Sequence, residues 1–176
     1  MPQSSVDRIH PHFEPLPPVT LNDAKQFRAF AGCYPTGVAV VTTRDGAGNL
    51  HGATMNSVVS LSLDPPLYLM CFGAKSSTLG AVLESRVFAI NFLAAHQQHI
   101  SQIFASKEPG KFTNLAYELA SNGSPVLNGV AGACDGAVFD LHGGGDHTIV
   151  IGKVDNVRTS DRAPLLFHRG QYRNFS

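Results

Sequence analysis

The chain has 176 residues, with 13 Lys and Arg against 13 Asp and Glu, 43% apolar residues and 15% charged ones. That length fits one domain with a real core. A net charge of zero supplies no field to draw in nucleic acid or acidic lipid, so neither is expected as a partner.

The three cysteines, Cys33, Cys71 and Cys134, make no CxxC and no zinc spacing. No metal site is expected, and a reduced, cytoplasmic chain is the simple reading. The first residues lack the apolar stretch of a signal peptide, and the apolar runs are too short to span a bilayer. A low charge content leaves little surface to solvate and favours an oligomer.

Residues 1–19 hold five of the eleven prolines. Proline gives up its amide donor and resists helix interiors, so this segment reads as an extended arm ahead of a domain over 20–176. Thr20-Leu21-Asn22-Asp23 resembles a capping box, and Phe27, Phe30 and Ala31 recur at helical spacing, which predicts a helix over 21–32 ended by Gly32. Val38 to Thr43 is β-branched and predicts a strand. Asp45-Gly46-Ala47-Gly48-Asn49 turns it into the next strand near Leu50.

The stretch from Gly52 to Leu67 alternates small polar and apolar residues and stops at Asp64-Pro65-Pro66. Period-two alternation predicts a strand with one dry face and one rich in hydroxyls. Pro66 to Phe72 is apolar throughout and reads as a strand buried on both sides. Ser76-Ser77-Thr78 cap a helix carrying Leu79, Val82 and Leu83. A strand over 87–93 and a helix over 97–105 follow, then a turn-rich stretch over 106–128. Two long strands, 131–141 and 147–158, are joined by Gly143-Gly144-Gly145-Asp146. A last short strand covers 165–167 or 171–175. The sum is about seven strands and three short helices, mainly antiparallel, which a closed or partly closed barrel fits best.

No Gly-x-Gly-x-x-Gly opens a βαβ unit and no Gly-x-x-x-x-Gly-Lys-Ser/Thr is present, so a nucleotide would be held by other means. The helix start at Ser76-Ser77-Thr78, beside Lys75, offers free amides, a positive dipole end and hydroxyls to an anion; equally, the three residues simply cap the helix. Thr54, Asn56 and Ser57 either bond a polar ligand or form an exposed polar face. Gly144-Gly145-Asp146-His147 either places His147 in a pocket or is a plain glycine hairpin. Arg169 and Tyr172 either stack on a ring or pack a terminal strand pair. Cys33 and Cys71 read as small core residues.

Several ordered pieces carry a resemblance over residues 24–174. They are Tyr34-Pro35-Thr36-Gly37-Val38, Gly52-Ala53-Thr54-Met55-Asn56-Ser57, Ser62-Leu63-Asp64-Pro65-Pro66 and Lys75-Ser76-Ser77-Thr78. Phe88-Ala89-Ile90-Asn91, Gly145-Asp146-His147 and Leu165-Leu166-Phe167-His168-Arg169-Gly170 complete the set. In this order and spacing the chain resembles the short-chain flavin reductases, the reductase components of two-component flavin-dependent monooxygenases. The resemblance implies an antiparallel, FMN-binding split β-barrel that pairs as a homodimer. It further implies hydride transfer from NADH or NADPH to FMN or FAD, with reduced flavin passed to a separate monooxygenase.

By motif, Thr36, Gly37, Thr54, Met55, Asn56, Ser57, Cys71 and Phe72 are implied to surround the flavin. Lys75, Ser76, Ser77 and Thr78 are implied to serve its phosphate, and Lys111-Phe112 to lie near it. His147, the implied catalytic residue, is placed with Tyr172 and Arg173 at the nicotinamide. His168 departs from the pattern, standing where an aromatic is common. The alternative is a flavin- or haem-binding protein of the same architecture without turnover.

Overall fold

A computed structural model describes residues 23–174. The expected arm over 1–19 and the expected helix start at residue 21 lie outside the described residues. Chain contacts divide the protein after Ala31. In the first unit, α1 covers Ala24–Ala31. Its first turn is closed by Asp23, whose Oδ1 accepts from Gln26 N at 2.7 Å. That is the capping role of an acidic side chain at a helix start, filled by Asp23 itself.

The second unit, from Gly32 onward, is mainly β. Its strands are β1 Thr36–Gly37, β2 Ala39–Arg44, β3 Leu50–Met55, β4 Val58–Leu63, β5 Pro66–Gly73, β6 Val87–Phe92, β7 Tyr117–Leu119, β8 Pro125–Leu127, β9 Gly132–Gly144, β10 His147–Thr159, β11 Leu166–His168 and β12 Gln171–Arg173. Two helices join them, α2 Ser77–Ser85 and α3 Gln98–Ala105, the latter entered through a 3₁₀ turn at Ala95–Gln97. Seven strands form one antiparallel sheet in the order β3-β2-β6-β9-β10-β5-β4. A three-stranded sheet β1-β11-β12 and the pair β7-β8 stand beside it.

Three expectations change. First, the alternating stretch from Gly52 to Leu67 is two strands rather than one. β3 pairs with β2 and β4 pairs with β5, so the chain crosses between the two outer edges of the sheet at Asn56–Ser57. Second, hydrogen bonds do not close the barrel: β3 and β4 are its two edges, joined by the chain itself. Third, β5 is not buried on both faces, because it lies next to the edge of an antiparallel sheet. Met70 and Phe72 turn into the core while Leu67, Leu69 and Cys71 are partly exposed. Both short segments near the C-terminus are strands, paired with each other. Among the described residues no helix is long and apolar enough to cross a membrane.

β2 is buried on both faces. Val41 packs with Met70, Phe72, Phe88, Ile90 and Val150, whereas Val40 faces a second cluster of Leu93, Phe104, Leu127 and Leu165. A polar network locks the sheet to β8. Asn91 Nδ2 donates to Val40 O at 3.1 Å and Thr42 Oγ1 at 3.2 Å, while its Oδ1 accepts from Leu127 N at 2.7 Å. Thr42 Oγ1 in turn donates to Pro125 O. All of this is fully buried, where an unpaired amide is costly. Asn91→Ala, which orphans these groups, is expected to cost about 2 kcal/mol and to lower Tm by roughly 5 °C in a thermal melt.

Candidate functional site

The edge strand β3 borders the first of two clefts, and β4 borders the second. The first has a volume of about 660 Å³ and is walled by residues 50–54 of β3, residues 75–78 at the start of α2, and the segment 104–111 that ends α3. Ser76 is the N-cap of α2: its backbone is extended (φ −71, ψ 125) and its Oγ accepts from Leu79 N at 3.4 Å. The amides of Ser77 and Thr78 are in the first turn and have no acceptor within the helix, so the positive end of α2 opens on the cleft. Lys75, Lys107 and Lys111 face one carboxylate, Glu108, around the same space. That balance suits an anion.

The floor of this cleft depends on a glycine. A Cβ on Gly52 would come within 2.5 Å of the Phe104 ring, so only glycine lets α3 sit this close to β3. Phe104 is held edge-on by Phe112, with ring centres 5.0 Å apart. Lys111 Nζ donates to Gly52 O at 3.3 Å and Phe104 O at 3.1 Å, tying the strand to the end of the helix. Partial burial lowers the Lys111 pKa from its ordinary value.

The second cleft, about 840 Å³, is mostly apolar and is lined by residues 34–38, Asn56, Val58, Val59, Tyr68 and Val157 among others. Thr36 Oγ1 is buried there with no hydrogen-bond partner in the protein. Thr54 lines the first cleft and Asn56 the second. In the chain only Met55 separates the two positions.

The expected site residues divide accordingly. Thr54, Lys75, Ser76, Ser77, Thr78 and Lys111 meet at the first cleft, and Thr36, Gly37 and Asn56 at the second. Ser57 and Cys71 bind each other, with Cys71 N donating to Ser57 O at 3.0 Å and Ser57 Oγ to Cys71 O at 3.2 Å. The side chain of Phe72 belongs to the core, and Met55 packs against it. Phe112 packs between Phe104 and Tyr117. Tyr172 Oη lies 2.9 Å from Ser101 Oγ, and Arg173 is exposed on β12.

His147 opens β10 opposite Gly73, two residues before Lys75. Gly145, at φ +68, makes the tight turn that aims it. Asp146 holds the ring, Oδ1 to Nδ1 at 2.7 Å, and Asp146 O accepts from Ala74 N at 3.0 Å. The hairpin tip is thus latched to the loop that leads into α2.

Sequence reading missed His51 and Lys107 in the first cleft and Ser101 beneath it. His51 signals nothing by motif. It is fixed by the preceding turn, its Nε2 lying 2.9 Å from Asp45 Oδ2. Burial pushes the Cys71 thiol up, and pushes that of Cys134 to about 11. Neither is a thiolate near neutral pH.

The flavin reductase like domain family matches residues 31–176. The chain belongs to this family. It is similar to a flavin reductase of Pseudomonas putida, 38% identical over 88% of this chain and 91% of the other. The reductase subunit of a flavin-dependent monooxygenase from Rhodococcus jostii is 37% identical over 85% of this chain and 77% of that protein. Among solved structures, nitrilotriacetate monooxygenase component B from Mycobacterium thermoresistibile superposes with a TM-score of 0.84 at 39% identity, covering 86% of both chains. An NADH:FAD oxidoreductase from Streptomyces globisporus, solved with NAD and FAD fragments, gives 0.85 at 32% identity, over 92% of this chain and 98% of that one.

The turn that presents His51 gives a pH test. Asp45 is held far below the usual carboxylate range, first by its hydrogen bond from His51 and then by those from Asn49. A depressed folded pKa contributes stability that is present above the unfolded value, near 4, and is lost as pH falls below it. Urea melts from pH 6 to pH 3 are expected to show a shallower acid loss for Asp45→Asn than for the wild type.

Proposed function

We propose that the chain is an NAD(P)H:flavin oxidoreductase. It takes a hydride from NADH or NADPH onto FMN or FAD and supplies reduced flavin to a separate monooxygenase. The observation that carries this reading is the edge strand β3, with the Thr54 hydroxyl, lying across a cleft from the open end of α2. The names of the relatives, reductases of monooxygenase systems among them, support it.

The chain's own residues fit a flavin. The first-turn amides of α2, the Ser77 hydroxyl and Lys75 offer donors and positive charge to a phosphate. Thr54 and Asn56 would offer further polar contacts to it, and the orphaned Thr36 hydroxyl is a buried polar group in want of a partner. When bound, flavin supplies the two-electron chemistry. The protein's part is to align the two rings and to exclude water, so proximity is the main source of rate. We assign His147, whose ring Asp146 holds, a contact with the nicotinamide.

The decisive test is NADH or NADPH consumption with added FMN, FAD or riboflavin. Turnover is expected, and flavin binding without nicotinamide loss would instead make this a non-catalytic carrier. His147→Ala is expected to raise the apparent KM for nicotinamide roughly tenfold, the scale of one lost hydrogen bond of ~1.4 kcal/mol, and to leave that for flavin nearly unchanged. Equal effects on both would remove His147 from this role.

The second cleft supports an assembly reading. Tyr34, Val59 and Val157 line it at 76%, 57% and 71% exposure. Large apolar groups gathered on one surface favour association, and a second copy of the chain is proposed to cover these three residues at the rim, beside the flavin that Thr36 and Asn56 would hold. Sedimentation is expected to give a homodimer that Val157→Asp dissociates.

A further inference from the structure

Thr54 ties β3 to α3 by a hydrogen bond. Its Oγ1 donates to Ser101 O, on α3, at 2.7 Å. Ser101 is 1% exposed, and its own hydroxyl lies 2.9 Å from Tyr172 Oη, on β12. The Tyr172 ring is set by an edge-on contact with Phe167, the ring centres 5.4 Å apart and the planes at 67°. One buried serine therefore joins the C-terminal hairpin, the helix under the first cleft and the edge strand.

This arrangement has a chemical consequence at the cleft. A hydroxyl has one proton to give and two lone pairs. Because Thr54 has committed its proton to Ser101 O, it can only accept from a ligand in the first cleft. Tyr172 likewise points its polar end inward, at Ser101, rather than into solvent where a nicotinamide would meet it.

We propose that Tyr172 and Ser101 are positioning residues for the flavin: they hold α3 so that Thr54 presents a fixed acceptor to a donor group of the bound flavin. This rests on the flavin reductase reading above, and it moves Tyr172 from the nicotinamide side of the reaction to the flavin side. Buried hydrogen-bonded networks restrict each member to one geometry, which is the property required here.

The experiment is a double-mutant cycle on the full chain with Tyr172→Phe and Thr54→Val, read by quenching of FMN and FAD fluorescence and by steady-state KM values. Tyr172→Phe keeps the ring and its contact with Phe167, and a thermal melt checks that the fold survives. Ser101→Ala provides a second way to cut the link. Tyr172→Phe and Ser101→Ala are each expected to weaken flavin binding about three- to tenfold, and Tyr172→Phe to add little once Thr54 is Val. The nicotinamide KM is expected to stay within about twofold. A rise confined to the nicotinamide KM, additive losses in the cycle, or unchanged flavin binding would each overturn the proposal. Failure of the wild-type protein to bind either flavin would instead overturn the functional reading beneath it.

Discussion

The hydrogen-bonding edge of β3 is the constraint on which the rest depends. A seven-stranded sheet that does not close leaves backbone groups unpaired along its two outer strands, and an open edge invites unwanted pairing. Here the edge is covered from outside. Lys111 Nζ donates to Gly52 O, the Phe104 ring lies against Gly52, and Thr54 Oγ1 is tied to α3. The same covering elements wall the first cleft. Protecting the edge and building the site are one act.

That economy explains the residue choices along the strand. Gly52 is required by the approach of α3, which a Cβ would push away. At Asn56–Ser57 the chain leaves one edge of the sheet for the other, so the hydroxyl-rich segment becomes a bridge between the polar and apolar clefts. The interior strand β2 carries the opposite demand. Buried on both faces, it is built of Ala39, Val40, Val41, Thr42 and Thr43, and the hydroxyls of both threonines are satisfied within the protein.

The long hairpin of β9 and β10 has a different task. Its strands run thirteen residues each, with register shifts near Ile151 and Val154 that bend it. Its tip returns to the loop before α2 through Ala74 N and Asp146 O. Positive charge is concentrated where β3, the start of α2 and the segment after α3 meet, although the chain as a whole has none in excess. A neutral protein thus keeps a local attraction for anions.

The sequence by itself determined the antiparallel, strand-rich class, the α2 cap at Ser76, the long hairpin and the family. Each of these is written in local chemistry: β-branched runs, a hydroxyl before a helix, glycines at a tight turn, short motifs in order. It did not determine that the alternating stretch from Gly52 breaks into two edge strands, because alternation reports exposure of a face and not the identity of the neighbour. Nor did it show that Tyr172 turns inward to Ser101, that Lys107 and His51 reach the first cleft, or that β5 keeps one face open. Those facts depend on pairing between residues far apart in the chain, and only the folded sheet, by choosing which strands are neighbours, decides them.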